Sequence, residues 1–423
     1  MQEDFLHYLW RHKKFNQTNL KTVNNVALTI HSVGAYNLNS GPDFFNAQLT
    51  IGDQLWAGNA EIHIKSSDWF LHNHEQDAAY DNVILHVVWE HDTEVFRKDN
   101  SVIPTLELKN YIPSAALINY KKLFNSHQNW INCENDFAEI DDFVISNWLE
   151  RLYFERLEQK SQNVFALLET SKNNWEAVFF KMLAKGFGLK VNSEAFYSLA
   201  NSVDFSVLRK CQSQLETLEA LFFGQSGLLN DAIEEPYYIL LQKEYQFLKQ
   251  KFQLNDTMVV APSFFRLRPN NFPTIRLSQL AVILFVQKHL FSKVIEAQTV
   301  EDIYRLFSVG PSEFWQTHYT FSKVSKATKK TVSKSFIDLL IINTIVPVKF
   351  AYAKFKGKPI ESDILNLLEV LPSEKNSIVD KFNSLRYVSK KALQSQALLQ
   401  LKNEYCNKNK CLKCAVGHKL LVG

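Results

Sequence analysis

The side chains most able to do chemistry are concentrated in residues 41–92. Asp43 follows a proline there, Glu61, His63 and Lys65 come next, and four more histidines complete the stretch. Carboxylates and imidazoles are groups with which proteins bind divalent ions. The stretch is therefore a candidate metal site.

The spacing of these residues gives each a possible role. Glu61, His63 and Lys65 alternate with alanine and isoleucine, which predicts a strand with the polar side chains on one face and the core on the other. Asp43 and Glu61, from adjacent strands, could hold Mg²⁺ or Mn²⁺ and leave room for a phosphate. Lys65 could orient or deprotonate an attacking water and offset the charge that develops on the phosphate.

The histidines allow a different metal site. His72 and His74, together with His63 or His86, could bind zinc through nitrogen ligands. His86 lies inside the apolar run VILHVVW, where a histidine is more often a hydrogen-bonded core residue. A zinc hydrolase is therefore an alternative.

Cysteines form a second candidate site. Cys406, Cys411 and Cys414 are separated by four and then two residues, a spacing found in iron–sulfur ligation with a distant fourth thiolate. Cys133 is the natural fourth ligand for a 4Fe–4S cluster. His418 is the competing fourth ligand, and it would make a zinc site of three cysteines and one histidine instead.

Charged residues surround the three clustered cysteines. Lys408, Lys410 and Lys413 lie between or beside them, and their charge would lower the pKa of the thiols and offset the charge of a cluster. Cys211 lies in a helical segment, and we expect it to be a core residue.

A basic segment offers a contact for nucleic acid. Arg266, Arg268 and Arg276 surround a Pro-Asn-Asn-Phe-Pro loop, and the planar guanidinium group suits phosphate or carboxylate. These arginines could equally pair with acids such as Glu150 or Glu155 and fix the loop between helices. The segment SKATKKTVSK adds lysines at positions 326, 329, 330 and 334. Together with the arginines, these lysines could form a basic surface that contacts nucleic acid.

Periodicity places these residues on predicted elements. An amphipathic helix is predicted over 4–15, strands over 26–33, 44–51, 55–65, 83–89 and 103–108, and a helix capped by Ser67 or Asp68 that runs toward Tyr80. From about residue 141 the apolar spacing becomes helical. The predicted fold is α+β or α/β, with an N-terminal mixed-sheet core (1–135) followed by a mostly α-helical domain (136–423). The C-terminal cysteine motif is expected to pack back on the boundary between them.

Composition narrows the class of protein. The chain has 423 residues, 46% hydrophobic and 22% charged, with a net charge of +3, which is typical of a globular protein with a large core. Five cysteines in this length do not suggest a disulfide framework. No signal peptide and no run of about 18 uncharged apolar residues is evident, so we expect a cytoplasmic protein without a membrane segment.

The first candidate site resembles that of the PD-(D/E)XK nuclease superfamily. Pro42 and Asp43 match the first half of its pattern, whereas the expected acid-x-Lys is replaced by Glu61-x-His63-x-Lys65. The resemblance extends to a Gln-x3-Tyr pair, Gln76 and Tyr80, as in RecB-type members. It implies a restriction-endonuclease-like core, Mg²⁺ or Mn²⁺ at the acids, and a nucleic-acid substrate.

Two further resemblances cover the rest of the chain. One upstream cysteine and three terminal ones resemble the iron–sulfur nucleases of the AddB and CRISPR-adaptation exonuclease type, although their terminal spacing and topology differ. Over nearly its whole length the sequence resembles the bacterial domain of unknown function 2851 family, through GPDF, WAGNAEIHIKSSDW, AYDNVILHVVW, RLRPNNFPTIRLSQLA and YCNKNKCLKCAVG. That family implies no activity.

These patterns favour a metal-dependent nuclease that cleaves phosphodiesters, with a structural cluster at the cysteines. The alternative is a catalytically inactive nucleic-acid-binding or scaffold protein with a structural zinc or iron–sulfur site. A histidine where the pattern has an acid favours that alternative. The sequence does not identify protein partners.

Overall fold

The computed structural model describes residues 2–125, 129–359 and 361–422. The chain divides into two compact units, one made of residues 1–148 with 401–423 and the other of 149–400. The sequence pattern predicts a boundary at 135/136 and a C-terminal segment that belongs to the helical domain. In the structure, that segment belongs to the first unit.

The first unit is built on a sheet. Its first 125 residues form α1 (Glu3–Arg11), β1 (Leu28–Ser32), β2 (Ala35–Tyr36), β3 (Phe44–Ile51), β4 (Gln54–Lys65), α2 (Asp68–Leu71), β5 (Val83–Glu90), β6 (Thr105–Glu107) and α3 (Ser114–Phe124). The strand order is β1-β3-β4-β5-β6, and β2 also pairs with β3. The pairs β1/β3, β2/β3 and β3/β4 are antiparallel, whereas β4/β5 and β5/β6 are parallel. This mixed sheet confirms the predicted α+β class.

The second unit is mostly helical. The first boundary lies within α4 (Asp142–Thr170), and the unit continues with α5 (Trp175–Phe187), α6 (Leu189–Ser202), α7 (Phe205–Cys211), α8 (Leu215–Gln225), α9 (Pro236–Phe252), α10 (Pro273–Val286), α11 (Leu290–Glu296), α12 (Val300–Phe307), β7 (His318–Thr320), β8 (Lys323–Val324), α13 (Lys334–Leu340), α14 (Val346–Phe355), α15 (Glu361–Val370), α16 (Ser377–Leu385) and α17 (Ala392–Gln400). A π-helical turn, Ile341–Ile345, joins α13 to α14.

Helix α18 (Ala415–Val422) closes the first unit. It follows a π-helical segment, Leu401–Cys406, and a 3-10 turn, Cys411–Lys413. Leu421 of α18 is buried in the same core as Phe5 of α1 and Leu123 of α3. Burying such side chains contributes roughly 1.5–3 kcal/mol each. Residues from the far end of the chain therefore complete the core of the first unit.

One face of the sheet forms this core. Ala60 and Ile62 of β4 and Val87 of β5 are fully buried and pack in one cluster with Phe5 and Leu9 of α1. Because strand side chains alternate, the intervening residues of β4 and β5 point to the opposite face. That opposite face carries the polar residues singled out in the sequence.

Two backbone features shape the strands beside these polar residues. The β3/β4 register shifts between Phe44 and Ala47, and Asn46 within this bulge has φ 58°. A bulge bends a strand and re-aims its side chains. At Gly58 of β4 an added Cβ would lie 2.5 Å from Ile84 Cγ2 and 2.7 Å from the Asn82 carbonyl oxygen, so only glycine allows the approach to the start of β5.

The segment after β4 differs from its prediction. In place of one helix running toward Tyr80, the chain forms the single turn α2 and two 3-10 turns, His74–Gln76 and Ala78–Tyr80. Asn73, between α2 and the first 3-10 turn, has φ 57°. This left-handed conformation is one in which helices commonly end. This break turns His72 and His74 back toward β4.

One helical stretch is long and apolar enough to cross a membrane. Residues 334–355 are the only part of the described chain that meets that length and composition, and 67% of their apolar window is buried inside the protein. A helix whose apolar surface is buried by its own domain is typical of a protein core. The stretch is thus no argument for a membrane span.

Candidate metal centre

Glu61 and His63 form the buried base of the site. Both lie on the polar face of β4, and their side chains are 6% and 1% exposed. The Nε2 atom of His63 lies 3.6 Å from Glu61 Oε1. Alternation along the strand predicted this pairing, because residues two apart share a face.

His72 and His74 complete the group. His72 Nδ1 lies 3.1 Å from His63 Nε2, and His74 Nε2 lies 3.4 Å from Glu61 Oε1. One nitrogen from each of the three histidines lies within 4.8 Å of the other two. His74 Nε2 is buried without a hydrogen-bond partner, whereas His72 is exposed. The group can therefore bind a ligand and be reached from solvent.

Asp43 lies directly behind Glu61. Its backbone N–H donates to Glu61 Oε2 at 3.0 Å, and its own Oδ2 accepts the backbone N–H of Ile62 at 3.0 Å. His7 Nε2 of α1 lies 3.1 Å from the same Oδ2 atom. The two residues are thus neighbours, as the sequence predicts, and the Asp43 carboxylate lies beside both Ile62 N–H and His7.

His86 and Trp69 contact the histidines of the group from the buried side. His86 Nε2 lies 2.8 Å from His63 Nδ1, and His86 is fully buried. The indole of Trp69 contacts the rings of both His74 and His86. A ligating histidine commonly donates its second ring N–H to such a partner. His86 is therefore a buried support of His63, as its apolar surroundings indicated.

Protonation in this site follows from burial. Burial and the nearby Asp43 carboxylate raise the pKa of Glu61 to about 8. Burial and the neighbouring imidazoles His86, His74 and His72 lower the pKa of His63 to about 2. His63 is thus neutral, the form in which histidine binds metals. A cation beside Glu61 would favour its charged form.

The pKa of His7, which lies beside Asp43, is shifted in the opposite direction to that of His63. Burial opposes protonation of His7, but the adjacent carboxylate of Asp43 outweighs this cost and raises the pKa of His7. When protonated, His7 compensates part of the charge of Asp43. No motif in the sequence pointed to His7, which lies in an amphipathic helix far from the other histidines.

Lys65, Gln76 and Tyr80 differ in their relation to the site. Lys65 is exposed at the end of β4, and its ammonium group interacts electrostatically with Asp92. Gln76 is exposed and donates to the adjacent Glu75. Tyr80 is buried and stacks on His74 at 3.8 Å between ring centroids. Tyr80 therefore supports the site, while Lys65 and Gln76 lie outside the histidine group.

The arginines of the second unit occupy two environments. Arg266 and Arg268 are exposed, whereas Arg276 is buried, donates to Gln279 and Asn271, and lies over the Phe336 ring at 3.7 Å. Arg276 thus makes structural contacts, though with amides rather than the acids considered from the sequence.

The lysines of the basic segment after β8 also divide into exposed and buried residues. Lys326, Lys329 and Lys334 are exposed. Lys330 is buried, and its Nζ donates to the carbonyl oxygens of Trp315 and Gln316. Lys330 therefore fixes a loop and is unavailable to a nucleic acid.

The four cysteines singled out in the sequence line one cavity. Cys133, Cys406, Cys411 and Cys414 surround it, and none forms a disulfide. Burial, followed by repulsion from Cys414, raises the pKa of Cys411 to about 11. Burial and neighbouring thiols also raise the pKa of Cys133 and Cys406. The cavity brings together residues about 270 positions apart.

The expected effect of the nearby lysines is wrong. Lys408 binds Glu404 at 2.6 Å, and the lysine whose charge acts on Cys406 is Lys402. Burial dominates, so the thiol pKa values lie above the ordinary value rather than below it. Cys211 is buried in α7, as predicted.

Comparison with known proteins identifies one family. The family described as "Protein of unknown function (DUF2851)" matches residues 3–377. No curated protein and no solved structure matches the chain.

Proposed function

Because the chain belongs to the DUF2851 family of proteins of unknown function, we propose its function from the site itself: a transition-metal-dependent hydrolase that cleaves nucleic-acid phosphodiesters. The observation that carries the proposal is the convergence of Glu61, His63, His72 and His74. The fold of the first unit supplies the argument for the substrate.

Distances within the group fit one metal ion. Ligand atoms about 2.0–2.1 Å from a tetrahedral zinc ion lie roughly 3.3 Å apart. The three measured separations are 3.1, 3.4 and 3.6 Å, for His63–His72, Glu61–His74 and Glu61–His63. Three imidazoles with one carboxylate suit Zn²⁺ or Mn²⁺ better than Mg²⁺, which prefers oxygen ligands. We therefore favour zinc or manganese at this site.

Each residue has a role in this proposal. His63, His72 and His74 hold the ion through one nitrogen each, and Glu61 Oε1 is the fourth ligand. Asp43 fixes Glu61 through its backbone N–H, and His86 fixes the tautomer of His63. When bound, such an ion acts as a Lewis acid and lowers the pKa of a water ligand.

The topology supports a phosphodiester substrate. A helix, an antiparallel β3/β4 pair and a crossover to the parallel strand β5 agree with the core implied by the PD-(D/E)XK resemblance. Pro42-Asp43 precedes β3 and Glu61 lies on β4, which are the positions of the two acids in that pattern. Residues Arg266, Arg268, Lys326, Lys329 and Lys334 are exposed cations of the second unit that could contact phosphates.

Metal analysis and nuclease assays test this proposal together. Metal-free protein should bind about one Zn²⁺ or Mn²⁺ at the site, and the loaded protein should cleave labelled DNA or RNA. His72→Ala and His74→Ala should each weaken binding at least tenfold and reduce cleavage. His31→Ala is a matched control, because His31 is an exposed histidine of the same sheet that contacts Thr50.

Two results would oppose the proposal. Unchanged metal affinity in both variants would reject the assigned ligands. Stoichiometric metal binding without cleavage of single- or double-stranded DNA or RNA would reject the hydrolase and leave the metal site.

A second candidate function is nucleic-acid binding without cleavage. The exposed position of Lys65, beside Asp92 and outside the histidine group, favours it, because the lysine of the nuclease pattern normally acts at the reacting phosphate. Binding of an oligonucleotide that survives His72→Ala, without cleavage by the parent protein, would support this candidate.

A further inference from the structure

Segments from both ends of the first unit meet at a second site. Cys133 lies in the loop before α4, Cys406 ends the π-helical segment, Cys411 begins the 3-10 turn, and Cys414 immediately precedes α18. Asn132 Nδ2 donates to Cys411 Sγ at 3.4 Å. The upstream loop and the C-terminal segment are therefore in direct contact.

The surroundings of the four thiols are mostly apolar. The cavity they line is completed by Leu123, Ile131, Phe137, Leu401 and Val416, together with Asn132, Tyr405 and Gly417. Burial raises the pKa of Cys414, while the backbone N–H groups of Gly417 and Val416 act in the opposite direction and favour its thiolate. Donors aimed at sulfur stabilise thiolates in metal centres and tune clusters.

A glycine is needed for this approach. A Cβ on Gly417 would lie 2.1 Å from the Cys411 carbonyl oxygen, which no side chain tolerates. The first turn of α18 can thus pack against the 3-10 turn only with glycine at 417. This contact holds Cys411 and Cys414 on one side of the cavity.

The competing histidine ligand points elsewhere. His418 Nδ1 lies 2.9 Å from the Tyr8 hydroxyl, and the His418 ring contacts the rings of Tyr8 and His12. Cys133 lines the thiol cavity, whereas His418 does not. The ligand set is therefore four cysteines.

The separation of the sulfurs distinguishes two kinds of centre. Thiolates about 2.3 Å from one zinc ion lie roughly 3.8 Å apart. The nitrogens of His63, His72 and His74 lie within 4.8 Å of one another, as ligands of a single ion do, whereas the four thiols are distributed around the wall of a cavity. In a four-iron cluster each thiolate binds a different iron atom, so the sulfurs stand farther apart.

We propose that Cys133, Cys406, Cys411 and Cys414 bind a 4Fe–4S cluster that holds the C-terminal segment to the first part of the chain. A preassembled cluster is transferred from a carrier: each thiol loses its proton to solvent, and its thiolate displaces one carrier ligand from iron, so that one Fe–S bond forms as one iron–ligand bond breaks, with no net oxidation or reduction. The cluster is separate from the Glu61 site and does not depend on the function proposed for that site.

Iron and sulfide analysis of the full chain tests the cluster. Protein purified without oxygen should contain about four iron and four acid-labile sulfide atoms per chain and absorb visible light. Cys133→Ser and Cys406→Ser should each lose the iron, the sulfide and the colour and melt at a lower temperature. Cys211→Ser is the matched control, since Cys211 is a buried free cysteine of the second unit, and it should retain the cluster.

Other outcomes overturn the proposal. Stoichiometric zinc in place of iron, or parent protein that takes up neither iron nor sulfide on anaerobic reconstitution, would each reject the cluster, and neither result depends on a variant that folds. Full iron and sulfide content in both serine variants would reject the ligands. His72→Ala should leave the iron content unchanged, so failure of the Glu61 site and failure of the cluster are distinguishable.

Discussion

The backbone N–H of Asp43 donates to the Glu61 carboxylate at 3.0 Å, while the Asp43 carboxylate accepts the N–H of Ile62 at 3.0 Å. The two acids therefore fix one another across β3 and β4. Glu61 Oε1 lies beside His63 and His74, while Oε2 accepts the Asp43 N–H. In the metal site proposed above, Asp43 would therefore position Glu61.

Replacing Asp43 should weaken metal binding. Asp43→Ala removes the acceptor of Ile62 N–H and the partner of His7, which loosens the loop that holds Glu61. Loss of such a support typically lowers affinity 10–100-fold. Competition with a chelator measures the change, and the exposed turn residue Asp53 provides the control Asp53→Ala. Equal affinities for the two variants would contradict this role.

His86 should act through His63. His86→Ala leaves His63 Nδ1 without its partner at 2.8 Å, so metal affinity should fall about 10–100-fold and the free energy of unfolding by about 1–3 kcal/mol. His86→Gln retains an acceptor and should restore part of the affinity. Metal titration measures the affinity of both variants, and urea unfolding measures their free energy of unfolding. A glutamine variant as weak as the alanine variant would argue against a hydrogen-bonding role.

Glu219 should make stability depend on pH. Burial raises the pKa of this α8 carboxyl to about 7, against hydrogen bonds with Ser278, Tyr237 and Ser312 that lower it. Below pH 4.5 the carboxyl is protonated in both the folded and the unfolded chain. As pH rises to about 7 the unfolded chain loses this proton first, so the free energy of unfolding should fall by about 3 kcal/mol.

Two glutamine variants isolate this effect. Glu219→Gln should remove the decrease between pH 5 and pH 8, whereas the exposed Glu216→Gln in the same helix should keep it. Urea unfolding at the two pH values measures both. The assignment fails if Glu219→Gln loses as much stability as the parent protein does.

Arg276 and Arg268 should differ in their effect on stability. Arg276→Met leaves the side-chain oxygens of Gln279 and Asn271 without their donor, which should cost about 1–3 kcal/mol. Arg268 is exposed, and Arg268→Met should change stability by less than about 0.5 kcal/mol. Thermal unfolding of both variants measures the two changes in stability. Equal losses of stability would contradict a structural role for Arg276.

Local periodicity was enough to predict most of the sheet. The segments 44–51, 55–65 and 83–89 agree with β3, β4 and β5 to within one residue at each end, because alternation and apolar runs are encoded by neighbouring residues. The same alternation placed Glu61 and His63 on one face. Helix α1 was also predicted, although four residues too long at its C-terminal end.

Features that depend on tertiary packing could not be predicted. His7 reaches Asp43 only because α1 packs under the sheet, and nothing in its neighbours indicates that contact. The burial of Arg276 and Lys330 depends on partners 60 and 15 residues away, respectively Phe336 and Trp315. The thiol pKa values were misjudged because sequence neighbours show charge but not desolvation.

The membership of residues 401–423 in the first unit has a consequence for biosynthesis. During translation, 252 residues of the second unit emerge between the two parts of the first. At about 5–20 residues per second this takes roughly 10–50 s. Throughout that time the core lacks Leu421, and Cys133 lacks the other three thiols that line its cavity. A chain that stops before Cys406 leaves this core without Leu421, and we expect proteases to cut its first unit faster than that of the chain that includes residues 401–423.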